Sequence, residues 1–519
     1  MLLNKQGVWE VVYTAQEYQK YQYLITTDKN EILTKIDPYS FLLDNEYSII
    51  YNYHKLNYTN PKVPMENEAY DKPLNIYELF FSGWSDKYKT YKDIAEPLAK
   101  YLNEYGYNAV QFMPLTEYKT DNSWGYQPVG FFAPTKRYGG PEDLIYLIDY
   151  LHKHNIYIIL DWTPAHFDNC SYGLKNYDGN KMYEFPYGQY EEHPIWKTML
   201  FDWGNPYVSS FLISSANFWL SVYGFDGLRV DTVTTLVQLF ELNEKYEVTS
   251  VYYNQDGYKF CNALTHFIKT AHPNAILIAE ETQGFCDITN PDIFNFSYKQ
   301  ALGWSWDTGT FINMKPGEDD KFFGLTKPLD YAYANKSVLT YGHDQISKYN
   351  GFMLHQFHYS YEQLKTFLSY MMAFPGKKCL FMGNEYGQGG YWDFDRPLHG
   401  IVKPEQTEVS EYIKELNHFY LNNPALYEKD FDPEGTSVIV NNCGDQVLAI
   451  LRHGFSQSML CVCNFSDKNY KNYGMENPNN YTNINAVLGT VEGPGPHITD
   501  GKIYLTNLPA HSAFFFEVS

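Results

Sequence analysis

Short apolar runs alternate with helical stretches from about residue 76 to about residue 421 of the chain. The apolar runs predict buried strands, whereas the helical stretches carry apolar residues three and four positions apart and begin or end near Pro or Gly. The predicted helices include 91–105, 260–271, 361–373 and 410–421, with others beginning at Pro141 and Pro206. The predicted strands are 76–81, 109–115, 156–162, 227–231, 276–281, 294–298, 338–343 and 378–382.

Eight strands with helices between them predict an α/β fold, a closed (β/α)₈ TIM barrel over residues 73–428. In such barrels the active site lies on the loops that follow the carboxyl ends of the strands. The segment 163–202 after the third strand is too long for a plain connection and predicts an excursion near that site. Residues 1–72 alternate aromatic or aliphatic with polar residues and predict a small β module, while 429–519 predict a C-terminal antiparallel β-sandwich.

The composition and net charge of the chain limit the kinds of molecule that it can bind. A net charge of −22 argues against nucleic acid and anionic membranes as partners, since both require clustered Lys and Arg. The chain has no leader-like amino terminus and no run of eighteen apolar residues, which predicts a cytoplasmic protein. Seven scattered Cys residues indicate reduced thiols, and no metal or cofactor motif is found. The 50 Tyr and 10 Trp residues suit sugar surfaces, whose neutral rings stack on aromatic faces.

Polar residues cluster at the carboxyl ends of four predicted strands. They are Asp161 with His166, Arg229 with Asp231, Glu280 with Glu281, and His343 with Asp344. Arg229 and Asp231 share a face of their strand, because the side-chain period is two, so the guanidinium can keep the carboxylate ionised. A single Arg–Asp pair of this kind is more often a buried ion pair that only stabilises the fold. Four polar sets at one level of a barrel cost too much free energy to be structural, which favours a catalytic site.

These four stretches resemble the motifs of the α-amylase superfamily of glycoside hydrolases and transglycosidases, glycoside hydrolase family thirteen. The resemblance implies that Asp231 is the nucleophile, Glu280 the acid/base and Asp344 a group that stabilises the distorted sugar. A retaining reaction on a glycosidic bond needs two carboxyl groups roughly 5–5.5 Å apart, one ionised and one protonated, and adjacent strands can supply them. Glu281, one residue beyond Glu280, is the alternative acid/base.

A closer resemblance is to the 1,4-α-glucan (glycogen) branching enzymes. It is carried by the stretches 35–41, 123–127, 132–139, 159–167, 279–282, 375–388 and 430–435. It implies that the ring of Tyr126 stacks under the reacting glucose. The substrate-binding residues implied or predicted in this way are Tyr126, Asp161, His166, Arg229, His343 and Trp124. Trp124 is a weaker candidate than the others, as are Trp304, Trp306 and Trp392, since for each of these four ordinary packing is the more common explanation.

The chain also departs from these families. Ala165 occupies the position at which calcium-dependent α-amylases have an Asn ligand, so no calcium is expected there. Gln345 follows Asp344, where branching enzymes usually have Glu. Segment 234–258 does not match the family's longer aromatic loop, and residues 7–10 and 21–23 resemble only the second half of its starch-binding-like module, which predicts a truncated module.

Three functions follow from these observations. The leading hypothesis is a transglycosylase that cleaves an α-1,4 bond of an α-glucan, holds the chain as an ester on Asp231 and passes it to a glucose 6-hydroxyl. The alternative is a hydrolase of the α-amylase or trehalohydrolase type, which uses the same carboxylates with water as the acceptor. The third is a catalytically silent glucan-binding protein. The sequence indicates no cofactor and leaves the oligomeric state and the transferred chain length open.

Overall fold

The computed structural model describes residues 2–3, 9–56, 70–243, 248–282, 284, 287–314, 318–346 and 350–519. Within these residues, eight parallel strands form a closed barrel. In chain order they are β1 Asn75–Leu79, β2 Ala109–Phe112, β3 Tyr157–Trp162, β4 Gly227–Val230, β5 Ile276–Ala279, β6 Tyr298–Gln300, β7 Ser337–Tyr341 and β8 Lys377–Phe381. The barrel closes where β8 pairs with β1 in parallel.

The register of the barrel brings polar residues of neighbouring strands to one level. Asp161 of β3 lies directly opposite Arg229 of β4. Val230 lies opposite Ala279 of β5, so Asp231 and Glu280 follow these two residues at the carboxyl ends of adjacent strands. Parallel pairing aligns the carboxyl ends of all strands, and the tops of β3, β4 and β5 therefore form one continuous polar surface.

Seven long helices surround or follow the barrel. They are α1 Tyr91–Glu104, α2 Pro141–Lys153, α3 Pro206–Phe218, α4 Gln255–Ala271, α5 Leu302–Ile312, α6 Tyr361–Ala373 and α7 Pro404–Asn422, counted over the described ranges. Thr90 caps α1 by accepting the N–H of Asp93, and Pro141 occupies the first turn of α2, where its missing N–H costs nothing. The buried face of α1, which includes Leu98 and Leu102, belongs to the main core.

The predicted sixth strand, 294–298, is wrong in its position. Strand β6 begins at Tyr298, and the preceding apolar residues form a buried loop. Asn295 adopts a left-handed φ of 55°, and the N–H of Phe296 donates to the carbonyl of Ile288 instead of to a neighbouring barrel strand. Phe294 and Phe296 thus pack in the core without pairing with a neighbouring strand. A short apolar run in the sequence does not distinguish such a buried loop from a strand.

Among the residues that the structure describes, three two-stranded excursions extend from the carboxyl side of the barrel. They are Thr116–Tyr118 with Pro128–Pro134, His166–Phe167 with Met199–Leu200, and Gln238–Leu242 with Val248–Tyr253. The second lies within the long excursion expected after β3. The third, the β4 hairpin, follows a short helix, Val233–Val237, and leads into α4. The divergent segment after β4 is therefore built on a short helix and a hairpin.

β-rich regions flank the barrel on both sides. N-terminal to it, Lys20–Tyr21, Tyr47–Ile49 and Leu43–Asp44 form one small sheet, Tyr23–Thr26 pairs with Ile32–Lys35, and Leu2–Leu3 pairs with Trp9–Glu10. Phe41 from this region stacks on Phe218 of α3 with ring centroids 5.1 Å apart. Gly7 and Val8, on which the expected truncation partly rests, lie outside the described residues.

The C-terminal region contains two antiparallel sheets. One orders Thr436–Asn442, Val447–His453, Ser458–Asn464, Ser512–Val518 and Ile484–Gly489, and the other orders Tyr470–Glu476, Lys502–Leu508 and Gly495–Thr499. Val462 and Phe516 of the first sheet share a buried cluster with Leu505 of the second. The predicted fold class, a TIM barrel with an N-terminal β region and a C-terminal β-sandwich, is confirmed. None of the helices within the described ranges is long and apolar enough to cross a membrane.

A buried carboxyl group lies just beyond β8. Glu385 accepts hydrogen bonds at Oε1 from the hydroxyls of Tyr77 on β1, at 2.8 Å, and Tyr101 on α1. Its Oε2 is buried and has no partner among the described residues. Burial raises the pKa of Glu385 to about 7, although the two tyrosine hydroxyls act in the opposite direction. The neutral acid is therefore the main form in the folded protein below about pH 7.

We expect Glu385 to make folding stability depend on pH. Its pKa is about 7 in the folded chain and 4.5 ordinarily, so the stabilisation is fully present below pH 4.5 and is lost as pH rises through 7. The full effect is on the order of 3 kcal/mol in the free energy of unfolding. Glu385→Gln, a permanently neutral substitute, should unfold at higher urea concentration than the parent above pH 7. Exposed Glu408→Gln is the control, and equal pH profiles for parent and Glu385→Gln would contradict the prediction.

Candidate active site

A cleft of about 330 Å³ opens at the carboxyl ends of the barrel strands. We call it the central cleft, and its lining combines carboxyl groups, imidazoles and aromatic rings. The lining residues are Asn122, Ser123, Trp124, Tyr126, Gln127, His166, Trp196, Asp231, Thr232, Glu280, His343 and Asp344. Seven of these, Trp124, Tyr126, His166, Asp231, Glu280, His343 and Asp344, were predicted from the sequence as site residues. The predicted residues Asp161 and Arg229 lie beneath the cleft floor.

Arg229 is the central cation of this floor. Its NH1 donates to Asp161 Oδ1 at 2.9 Å and to Asp231 Oδ1 at 2.5 Å, and its Nε donates to Gln300 Oε1 at 3.2 Å. Its NH2 lies 3.8 Å from Glu280 Oε2. Arg229 is almost fully buried, so its charge acts through a medium of low dielectric on all three carboxyl groups. It contacts Asp231 directly and Glu280 only at longer range.

Glu280 is a buried acid held by the backbone beside Asp231. The N–H of Thr232 donates to Glu280 Oε2 at 2.6 Å. Burial raises the pKa of Glu280 to about 8, Asp231 and Asp344 act in the same direction, and Arg229 and the Thr232 N–H oppose them. Burial also raises the pKa of Asp231, but there the directly bonded Arg229 opposes it. The closer guanidinium makes Asp231 the more readily ionised of the two groups.

Glu281 does not line the central cleft. Its Oε2 accepts a hydrogen bond from Lys299 of β6 at 2.5 Å, and its Oε1 lies 3.5 Å from the hydroxyl of Thr234. Its side chain is fully buried in this ion pair. Of the two adjacent glutamates, only Glu280 faces the cleft, because successive side chains point to opposite sides of an extended backbone.

Asp161 links the floor of the cleft to Tyr126. Its Oδ1 accepts from Arg229, and its Oδ2 accepts from the hydroxyl of Tyr126 at 2.6 Å. Burial raises the pKa of Asp161 to about 7, and Arg229 opposes this shift. The ring of Tyr126 stacks on the imidazole of His343 with centroids 5.3 Å apart. The tyrosine ring is thus fixed at its hydroxyl and on one face, as a rigid aromatic wall must be.

His343 is held by a carboxylate that the sequence analysis did not single out. Glu78 of β1 accepts from the backbone N–H of His343 at 2.8 Å and pairs with its Nδ1 at 2.9 Å. The Nε2 of His343 lies 3.5 Å from Asp344, whose side chain is 53% exposed. Burial lowers the pKa of His343, but Asp344 and Glu78 outweigh it and raise the pKa to about 9. The imidazole is therefore cationic at neutral pH.

His166 is neutral and lies on the other side of the cleft. Burial lowers its pKa to about 3, and its ring lies 5.0 Å from the indole of Trp196. Trp196 is stacked on His193, with centroids 3.7 Å apart and planes within 12°. Its carbonyl accepts from the side chain of Gln127 at 3.2 Å. The long excursion after β3 therefore places the indole of Trp196 in the cleft and holds it there through these contacts.

The other tryptophan candidates separate into two kinds. Trp124 lines the central cleft and packs on Trp392, with ring centroids 4.9 Å apart. Trp304 is a core residue, because it is buried and its indole N–H donates to the hydroxyl of Tyr370 at 3.2 Å. Trp306 is 56% exposed on α5 and is not among the residues that line the cleft. Trp304 and Trp306 are thus not part of the site.

A second cleft, of about 300 Å³, adjoins the central one. We call it the side cleft; it shares Trp196, Thr232 and Glu280 with the central cleft. Its lining includes Leu239, Phe240 and Val248 of the β4 hairpin, together with Tyr190 and residues 192–196. The segment after β4, which differs from the loop expected there, therefore lines a cleft that includes Glu280 but not His343.

Six residues of the site were not predicted as site residues: Glu78 behind His343, and the lining residues Asn122, Ser123, Gln127, Trp196 and Thr232. Glu78 could have been noticed in the sequence, because it is the one charged residue of strand β1. Thr232 follows a motif residue but has an ordinary side chain, and Trp196 lies in a long excursion without a strand pattern. Their importance comes from contacts that join distant parts of the chain. Among the described residues, no group of three or more His, Cys, Asp or Glu side chains could hold a metal ion.

Comparisons with known proteins identify the family of this chain. Residues 190–436 match the family model for the alpha amylase catalytic domain, and residues 438–519 match that for the alpha amylase C-terminal all-beta domain. The 1,4-alpha-glucan branching enzyme of Geobacillus stearothermophilus is 35% identical over 505 residues, covering 91% of this chain and 77% of that protein. The chain belongs to the 1,4-α-glucan branching enzyme family. The branching enzyme of Aquifex aeolicus is 34% identical, covering 89% of this chain and 77% of its own length.

Solved structures show the fold of this branching enzyme family member in more distant proteins. A pullulanase from Anoxybacillus sp. LM18-11, complexed with maltotetraose, superposes with a TM-score of 0.76 at 15% identity, covering all of this chain and 81% of the other. A putative alpha amylase from Salmonella typhimurium superposes with a TM-score of 0.70 at 16% identity. The superposition covers 98% of this chain and 92% of the other. The resemblance inferred from the sequence motifs is confirmed by the closer relatives.

Proposed function

We propose that the protein is a retaining α-glucan transglycosylase that cleaves α-1,4 linkages and forms α-1,6 branches. The observation that carries the proposal is the pairing of Asp231 and Glu280, two carboxyl groups on adjacent strands in one cleft, with Arg229 bonded to the first and burial protonating the second. One ionised and one protonated carboxyl group is the arrangement that a retaining reaction needs. Membership of the branching enzyme family supports the glucan substrate and the branched product.

In the first step, Asp231 attacks the anomeric carbon of a glucose unit through Oδ2. The bond from that carbon to the 4-oxygen of the next glucose breaks, and Glu280 gives its proton to this oxygen. The chain on the donor side is then held as a glycosyl ester on Asp231. Arg229 remains bonded to Oδ1 and keeps the carboxylate oriented.

In the second step, the ester is passed to a new acceptor. The carboxylate of Glu280 takes the proton of a glucose 6-hydroxyl, whose oxygen attacks the anomeric carbon. The bond to Asp231 Oδ2 breaks, and its electron pair restores the carboxylate. One α-1,4 bond is lost and one α-1,6 bond is formed, so the number of reducing ends does not change.

The remaining side chains of the central cleft hold the reacting sugar. Tyr126, fixed by Asp161, offers its ring to the sugar face, and Trp124 extends this aromatic wall. Neutral His166 and cationic His343 are placed to hydrogen-bond hydroxyls of the sugar. Asp344, half exposed at the rim, is free to accept hydroxyl groups as the sugar distorts. A cytoplasmic location and an α-glucan as the partner complete the proposal.

We expect the rate to fall on the alkaline side as Glu280 loses its proton. Its pKa is raised to about 8, so the protonated fraction decreases as pH rises through that value, and kcat/KM should decrease with it. The measurement is the initial rate with amylose on both sides of pH 8, with circular dichroism at each pH to show that the fold persists. A rate that stays level well above pH 8 in the folded protein would exclude Glu280 as the acid.

Product analysis tests transfer against the alternatives. The purified protein is incubated with amylose while iodine colour, reducing ends and the chains released by isoamylase are followed. Loss of colour without new reducing ends, together with isoamylase-sensitive linkages, is expected for branching. Reducing ends that rise in step with colour loss would establish the hydrolase instead, and no change in either would favour the glucan-binding protein. The Asp231→Asn variant supplies the background for both measurements.

A further inference from the structure

Thr232, the residue after Asp231, has a backbone conformation that its side chain disfavours. Its φ of 46° and ψ of 48° lie in the left-handed region, where a β-branched residue is a rare outlier. It precedes the short helix Val233–Val237, yet its side chain makes no capping hydrogen bond to that helix. Helix capping therefore does not explain the strain, and strained residues concentrate where function requires a fixed geometry.

In this strained conformation the two hydrogen-bond donors of Thr232 reach the two reacting carboxyl groups. Its N–H donates to Glu280 Oε2 at 2.6 Å, and its hydroxyl donates to Asp231 Oδ2 at 3.3 Å. The next N–H, that of Val233, donates to the carbonyl of Glu280 at 2.8 Å. Thr232 also lines both the central and the side cleft. One residue thus connects the acid to the nucleophile.

These hydrogen bonds distinguish the two oxygens of each carboxyl group. Because Oε2 of Glu280 accepts the Thr232 N–H, the proton of the neutral acid is carried by Oε1. Because Oδ1 of Asp231 accepts from Arg229, Oδ2 is the oxygen left to attack the sugar. The Thr232 hydroxyl is bonded to this second oxygen, which alternates between carboxylate and ester during the reaction.

We propose that the Thr232 hydroxyl is a positioning group for the attacking oxygen of Asp231 and promotes breakdown of the glycosyl ester. The inference rests on the proposed function, since it needs the ester on Asp231. When the bond from the anomeric carbon to Oδ2 breaks, its electron pair returns to Oδ2, and the acceptor proton goes to Glu280. A hydroxyl donor on Oδ2 stabilises this developing charge more than it stabilises the ester, because hydrogen bonds to charged groups are stronger.

The test compares Thr232→Ser with Thr232→Ala, which differ only in the hydroxyl. With amylose as substrate, we expect Thr232→Ala to lower kcat on the order of ten-fold and to lower KM with it, because slower breakdown makes the glycosyl ester accumulate, whereas Thr232→Ser stays near the parent. The acid limb of the pH profile should move to higher pH in Thr232→Ala alone, because loss of a donor raises the pKa of a carboxyl group. Acid-quenched reactions analysed by mass spectrometry should contain more glycosyl ester in Thr232→Ala.

The outcomes separate this inference from the proposed function. Equal kcat, equal acid limb and equal ester content in the Ser and Ala variants would overturn the role of the hydroxyl, as would a change confined to KM. Activity retained by Asp231→Asn would instead overturn the proposed function. Thr232→Gly adopts positive φ freely and keeps the N–H, so it serves as the variant without a hydroxyl if Thr232→Ala does not fold.

Discussion

Asp231→Asn is expected to lower the rate of glucan conversion on the order of 10⁴-fold or more while leaving the fold intact. Asn has the shape of Asp and can still accept from Arg229, which also keeps its bond to Asp161. The amide oxygen carries no negative charge, so it cannot form the glycosyl ester that the reaction requires. Iodine colour and isoamylase-released chains measure the loss, and thermal unfolding measures the fold.

A matched control lies at the start of the same strand. Asp226, which precedes β4 at the opposite end of the barrel, is buried and bonds to His152 at 2.9 Å and to the N–H of Ile158 at 2.8 Å. Asp226→Asn is the same chemical change in a similarly buried site away from the central cleft, and it should keep most of the activity. Near-normal turnover of Asp231→Asn, or an equal loss in a folded Asp226→Asn, would refute the assignment of the nucleophile.

Glu280→Gln separates the acid from the nucleophile. It should be as inactive as Asp231→Asn with amylose, because it has no proton to give to the leaving oxygen. With a glycosyl fluoride of a maltooligosaccharide, whose leaving group needs no proton, the first step should be largely restored in Glu280→Gln but not in Asp231→Asn. Equal rates for the two variants with the fluoride would contradict the division of roles.

Asp430→Asn is expected to reduce the free energy of unfolding by about 3–5 kcal/mol, the largest stability effect that we predict. Asp430 is fully buried, and its two oxygens accept from Lys377 of β8 at 3.0 Å and from Arg452 of the C-terminal sheet at 2.8 Å. Burial raises the pKa of Asp430, but these cations and Lys378 outweigh burial and lower it. An amide leaves two buried cations without their anion, which costs far more than the loss of one hydrogen bond.

The substitution should destabilise the barrel and the C-terminal sandwich together, because Asp430 joins the two. Urea unfolding followed by tryptophan fluorescence gives the change in the free energy of unfolding. The control is Asp467→Asn, which breaks a pair with His511 at 2.6 Å on a side chain that is 96% exposed, and which should cost at most about 1 kcal/mol. Equal unfolding midpoints for parent and Asp430→Asn would show that the buried cations are not held by this carboxylate.

The sequence by itself determined the barrel and the residue types of its centre. The alternation of apolar strands and amphipathic helices is a local property, since each strand buries both faces and each helix only one. Asp231, Glu280 and Asp344 were singled out because each follows a strand whose end is recognisable from its own residues, and their expected roles came from the resemblance of these stretches to a known family. The N-terminal β region and the C-terminal sandwich followed from the same local alternation.

The tertiary structure decided what depends on distant contacts. Phe294 and Phe296 have the composition of a strand, but the turn at Asn295 places them in a buried loop. Glu78 bonds His343 across 265 positions of the chain, a separation that no local pattern encodes. The resemblance assigned the acid/base to Glu280, whereas the ion pair of Glu281 with Lys299 and the hydrogen bond from Thr232 to Glu280 are visible only in the folded chain. Local pattern specifies which side chains are available, whereas only folding brings their charges within a few ångströms, where they set each other's protonation.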